Sequence, residues 1–181
     1  MILDRAEEVF AKRGYKDVTM KDIAEACGIS RGGLYLYYPG TEELFLDVLD
    51  RALERSDEEL EKSLAKYTDA EKILRVFLEE QKKELFEEKR SLHVAASEFS
   101  FAHRSSGRLR TRFDEAVRVL EFLIRMGIRQ NSFRCRDPHS AAVNIMFIIE
   151  GWKSSVYSIR LQQREADNEI GYIMDVLRGK C

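Results

Sequence analysis

Proline is almost missing from this chain. Two prolines, Pro39 and Pro138, and ten glycines in 181 residues leave few turn signals, which argues against a sheet protein and for helices joined by short links. Cysteine is scarce and odd in number. Cys27, Cys135 and Cys181 stand far apart with no CxxC pair, so neither a zinc clip nor a disulfide framework is indicated. Cys27 reads as a small core residue, which leaves Cys135 and Cys181 as the candidates for a redox switch. Long apolar runs are missing too: none reaches the ~18 residues that span a bilayer. The opening MILDRAEEVF carries acids and lacks the apolar region of a signal peptide. A cytoplasmic protein without membrane contact is expected.

Catalytic signatures are also lacking. GxSxG, HExxH, P-loop, GxGxxG and Glu-x-x-His patterns do not occur, and the three histidines have no paired-ligand spacing. No enzyme, metal site or cofactor is expected. His93 and His103, ten apart, do not share a helical face and read as surface residues. An excess of charge is missing as well. With 30 basic and 32 acidic residues the net charge is −2, which argues against a generic polyanion binder.

What is present is a helical composition: 44% hydrophobic and 34% charged residues, enough to bury a core. The most informative stretch is TMKDIAEACGISRGGLYLYY, Thr19 to Tyr38. Thr19 has the chemistry of an N-cap, with Asp22 placed to complete a capping box. Ile23, Ala24 and Cys27 share a face, Gly28 ends the helix and Ile29 fills the angle of the turn. Ser30 caps a second helix whose Leu34 points inward while Arg31, Gly33, Tyr35 and Tyr37 face out. Two short helices around a glycine turn make a helix-turn-helix, a unit that reads DNA. The local charge does not favour that role. The first 50 residues hold six basic and ten acidic side chains, a net of −4, and only residues 12–38 are positive, at +2. Any DNA-facing surface must be small.

The remaining pattern is all-α. Helices are expected over 2–13, from 41 to about 65, over 69–88, 91–103 and 107–131, from Pro138 onward, and over 166–178, about nine in all. Breaks fall at Gly14, Pro39-Gly40 and Ser105-Ser106-Gly107, and Asp137-Pro138 is a start signal. Phe133 should anchor the loop at 131–136. The chain starts almost at its first helical residue, so no N-terminal arm is expected to enter a minor groove. The segment AAVNIMFIIEGW after Pro138 is apolar nearly all round and must bury two faces. One should meet the chain's own core and the other a second copy. With the stripe of the last helix this places Ala141, Ile145, Ile149 and Trp152, and Ile170, Ile173, Met174 and Leu177, at a two-fold homodimer interface.

The first 45 or so residues, through AEEVFAKRGY and VTMKDIAEACGISRGGLYLYYPGTEELF, resemble the TetR family of bacterial transcription regulators. The resemblance implies a DNA-binding head over 1–45 and a ligand-binding and dimerisation domain over 46–181. It implies a homodimer on double-stranded operator DNA, released when a small-molecule effector binds. The alternative is a helical ligand-binding or interaction module that no longer reads DNA. Carried over by position, Lys21 stands at a base or phosphate contact and Thr19 can offer its hydroxyl or amide to a phosphate. Arg31 is the candidate for a guanine edge or, equally, a phosphate. Ser30, Gly32, Gly33, Tyr35, Tyr37 and Thr41 complete the DNA-facing set, while Tyr38 reads as core. Where the family commonly has Ser-Lys before Glu-Glu-Leu, this chain has Gly40-Thr41, which predicts fewer phosphate contacts and a shallower salt dependence. For the effector, Phe77, His93, Phe99 and Phe101 and then Phe122, Met146, Glu150 and Trp152 are candidate lining residues. Each aromatic has core packing as its alternative, and Glu150 either answers a cationic ligand or forms an ion pair.

Overall fold

Local caps decide where several helices of this chain begin. In the structure, a computed structural model that describes residues 1–86, 92–103 and 107–180 apart from the side chains at 56, 57, 59 and 60, every regular element is helical. The order is α1 (Ile2–Arg13), α2 (Met20–Cys27), α3 (Arg31–Tyr35), α4 (Thr41–Lys66), α5 (Ala70–Phe86), α6 (His93–Ala102), α7 (Gly107–Arg129), α8 (Pro138–Ser158) and α9 (Gln163–Leu177). The all-α reading holds among the described residues. The Thr19–Asp22 capping box is formed, and Asp137 caps α8 at the Ser140 amide. The expected helix ends at 88 and 91, the break at Ser105-Ser106 and Cys181 lie outside the described residues. No helix among them is long and apolar enough to cross a membrane.

The chain divides into two compact units, Met1–Glu59 with Glu88–Ser106, and Leu60–Glu87 with Gly107–Cys181. The division differs from a boundary at residues 45 and 46 in two ways: α4 stays with the head to residue 59, and α6 joins the head.

In the first unit Phe10 of α1 and Phe45 of α4 are fully buried, with ring centroids 4.8 Å apart. Tyr15, after α1, packs on Phe45 at 5.0 Å. From α6, Phe99 meets Tyr15 at 5.0 Å and Phe45 at 5.2 Å, and His103 stacks on Phe99 at 4.4 Å. Rings at these separations bury large apolar areas. Glu98 of α6 makes the polar tie. One carboxylate oxygen accepts the backbone amides of Tyr15 at 2.7 Å and Lys16 at 3.0 Å. The chain can pass this close because residue 14 is glycine. Its φ of +80° disfavours L side chains, and a Cβ there would stand 2.6 Å from that oxygen.

The second unit is built from α5, α7, α8 and α9 around one cluster that includes Leu74, Leu78, Leu120, Ile124, Met146 and Trp152. Phe133 is buried as the loop anchor, and its ring occupies the space a Cβ on Gly127 would need. Gln130 at the end of α7 ties the start of α5, accepting from the Ala70 amide and donating to the Thr68 carbonyl. Lys82 of α5 is buried along its stem and reaches Asp167 of α9 at 2.5 Å.

The apolar pattern assigns Ile145, Ile149, Trp152, Ile170, Ile173, Met174 and Leu177 to an interface between copies. The structure corrects this: each is at most 4% exposed within its own chain, and Ala141 packs partly against the same cluster. With α8 apolar on both sides, composition could not tell which side the chain's own core would take. The outward sides carry Phe147 and Tyr157 on α8 and Tyr172 and Val176 on α9, all exposed.

Candidate nucleic-acid interface

The α2–α3 pair is held by short-range chemistry. Thr19 Oγ1 accepts the Asp22 amide at 3.3 Å, and Asp22 Oδ2 accepts the Thr19 amide at 2.8 Å. The Thr19 hydroxyl donates to the same carboxylate oxygen at 2.5 Å. Asp22 Oδ1 takes Arg13 at 2.6 Å. The Thr19 hydroxyl, chiefly, and Arg13 hold the Asp22 carboxyl far below the usual carboxylate range. Both Thr19 groups expected to meet a phosphate are therefore engaged by Asp22. Gly28 closes α2 in the left-handed conformation, φ 68° and ψ 27°. Ser30 Oγ then accepts the Gly33 amide at 3.0 Å and starts α3.

On α3 only Leu34 is buried. Arg31 lies over the Tyr35 ring at 5.5 Å, and its Nη2 donates to the Tyr35 hydroxyl at 3.3 Å. This cation–π stack pre-orients the guanidinium on the exposed side. Tyr37 is 70% exposed. Tyr38 is half-buried, and burial first, with Asp47 beside it second, pushes its hydroxyl pKa up. Thr41 is half-buried. Leu36 escaped the sequence reading. It is 85% exposed, and a 3.6-residue period counted from Leu34 would have placed it outward.

Several acids of the head are held in ion pairs, two of them by arginines beyond residue 50. Arg51 takes Asp4, Arg55 takes Glu7 at 2.6 Å, and Arg5 takes Glu8 at 2.9 Å. Lys21 and Glu25 are loosely paired at 3.7 Å, with the Lys21 side chain 71% exposed. Among the described residues Arg31 has no carboxylate partner. The exposed cations on the helix-turn-helix are thus few and weakly held, which leaves them available to a polyanion.

The glycines separate into explained and unexplained. Gly14 and Gly127 are required by the chain's own packing. Gly32 is exposed, lies outside the left-handed region and has nothing within 4 Å of a built Cβ. Nothing among the described residues calls for a bare position there.

The effector candidates fall in different places. Phe99 and the half-buried His93 belong to the first unit, Phe99 within the ring cluster described above; Phe101 there is exposed. In the second unit Met146 and Trp152 are core, Phe77 packs against the same core and Phe122 is half-exposed. Glu150 is exposed and paired with Lys153 at 2.7 Å. Trp152 is 4% exposed, and among the described residues its indole N–H has no hydrogen-bond partner.

Residues 2–48 match a family described as bacterial regulatory proteins, tetR family. The HTH-type transcriptional regulator YfiR of Bacillus subtilis (strain 168) is 33% identical over 141 residues, 76% of this chain and 68% of that one. A TetR transcription regulator from Haloarcula marismortui ATCC 43049 superposes with a TM-score of 0.84 at 22% identity, over 98% of this chain and 95% of that one. A transcriptional regulator from Saccharomonospora viridis, solved in complex with choline, superposes with a TM-score of 0.81 at 21% identity, over 96% and 92%. At these identities the two structures speak to the fold alone.

Proposed function

Because this chain belongs to the tetR family of bacterial regulatory proteins, with a DNA-binding domain at its N-terminal end, we propose that it is a cytoplasmic, effector-responsive repressor that binds operator DNA as a homodimer. One observation carries the DNA reading: α3 presents Arg31 stacked and without a carboxylate partner beside a position, Gly32, left bare for no internal reason. Lys21, Ser30, Gly33, Tyr35 and Tyr37 surround this surface in the sequence. Thr19 contributes through the helix start it stabilises, and Thr41 through its place at the start of α4.

The second copy covers the outward sides of α8 and α9, at Phe147, Tyr157, Tyr172 and Val176. Two reading heads then meet half-sites about 34 Å apart, one helical turn of DNA. The effector enters the second unit near Phe77, Met146 and Trp152, where the unpartnered indole N–H awaits an acceptor. A cation such as the choline of the Saccharomonospora complex finds little support in Glu150, already paired at the surface. The effector acts by preferring a state in which the two heads no longer match the half-sites. The head is joined to the second unit by α4 and by both ends of α6, so the chain offers three covalent routes for that coupling.

The test is binding to the DNA upstream of the protein's own gene, followed by fluorescence anisotropy. Saturable binding that survives competitor DNA, and is lost with Arg31→Ala plus Tyr37→Ala while the dimer persists in sedimentation, is expected. Absence of saturable binding removes the repressor reading in favour of an interaction module. Tyr172→Arg with Phe147→Arg should yield monomers; an unchanged dimer places the interface elsewhere.

A further inference from the structure

The outward pole of α3 is apolar, not charged. The backbone stays helical through Leu36 (φ −70°, ψ −22°), and the Tyr37 and Tyr38 amides both bond back to the Leu34 carbonyl. Side-chain directions therefore follow the helical period of 3.6 residues per turn, about 100° per residue. Counted from the buried Leu34, positions 32 and 36 each fall within about 20° of the opposite pole. Gly32 and Leu36 are one above the other on the side facing directly away from the head's core, with side chains on a helix leaning toward its N-terminus. A leucine there leans over a bare glycine. No large hydrophobic side chain among the described residues is more exposed than Leu36, at 85%.

We infer that Leu36 reads the 5-methyl group of a thymine in the major groove, seated close because Gly32 beneath it carries no side chain. The inference rests on the DNA reading of this head. The groove edge of a base pair displays donors, acceptors and one apolar group, the thymine methyl. Leucine has no hydrogen-bonding group, so neither a phosphate nor a guanine edge can reward it. The occupant must be apolar and lie on the reading side of the helix, between Arg31 and Tyr35 on one flank and Gly33 on the other.

The experiment uses the full chain and a duplex selected by it from a random library. Each thymine is replaced in turn by deoxyuridine, which removes the methyl group alone. Wild type should lose about 4-fold at one thymine of each half-site, the worth of one buried methyl. Leu36→Ala should bind more weakly and be indifferent to that same replacement, with its unfolding temperature unchanged because the side chain is exposed. Sensitivity at no thymine, or sensitivity that persists in Leu36→Ala, overturns the inference while leaving DNA binding intact. If no duplex is selected, the DNA reading falls and takes this inference with it.

Discussion

Replacing Gly32 by alanine should make the protein more stable and worse at binding DNA. The two effects have separate origins. A helical glycine costs roughly 0.5–1 kcal/mol relative to alanine, through the freedom it loses on folding. Position 32 has open space for a Cβ and a φ outside the left-handed region, so nothing in the chain opposes the gain. As α3 has five residues, the lower end applies, about 0.5 kcal/mol, or ~1–2 °C in a domain of this size. At the DNA surface the added methyl occupies the closest approach of helix to groove. A loss of about tenfold per head, ~1.4 kcal/mol, is expected, compounding in a dimer. Differential scanning calorimetry and anisotropy titrations on the same preparation check both. Affinity that holds or rises together with stability refutes the reasoning, because Gly32 would then face solvent and not DNA. Gly33 is a poorer probe: its Cβ would sit 3.2 Å from Ser30 Oγ and disturb the cap.

Gly127→Ala should have the opposite signature, losing about 1–3 kcal/mol of stability as Phe133 is forced from its place; chemical denaturation measures it. Glu98→Ala should speed amide exchange at Tyr15 and Lys16, which lose their shared acceptor; exchange rates equal to wild type would show that the tie is idle in solution. Asp22 titrates below its ordinary value in the folded head, so its contribution to stability is full above about pH 4 and fades as pH falls further. Asp22→Asn should flatten that acid limb in thermal melts, and an unaltered limb would assign it to other carboxylates.

The helix-turn-helix was readable because its determinants are local. Thr19 and Asp22 are three residues apart, as are Ser30 and Gly33, and Gly28 acts on its own turn. The same is true of Asp137 before α8. Docking of α6 on the head was not readable: Glu98 and Tyr15 are 83 residues apart, and nothing near Glu98 marks a carboxylate that will collect backbone amides. The two sides of α8 show a different limit. Ile145 and Phe147 are similar in apolar character, and only the positions of α5, α7 and α9 decide which is covered. Leu36 was overlooked because an apolar residue beside Leu34 reads as core unless the helical period is followed past the short helix's end.

The distance in sequence between Tyr15 and α6 also sets an order of events during synthesis. His103 lies 88 residues after Tyr15, its hydrogen-bond partner. At ~5–20 residues per second the ribosome needs about 4–18 s to cross that gap. From the end of α4 at Lys66 to Phe99, about 33 residues or roughly 2–7 s at the same rate, the nascent head has α1 to α4 but lacks the Phe99 ring that packs on Phe45 and Tyr15. The helix made in the meantime, α5, belongs to the other unit and must wait for α7 to α9. Translation thus delivers two unfinished bodies in alternation, and pausing codons between α4 and α6 would lengthen the exposure of the aromatic surface that Phe99 covers.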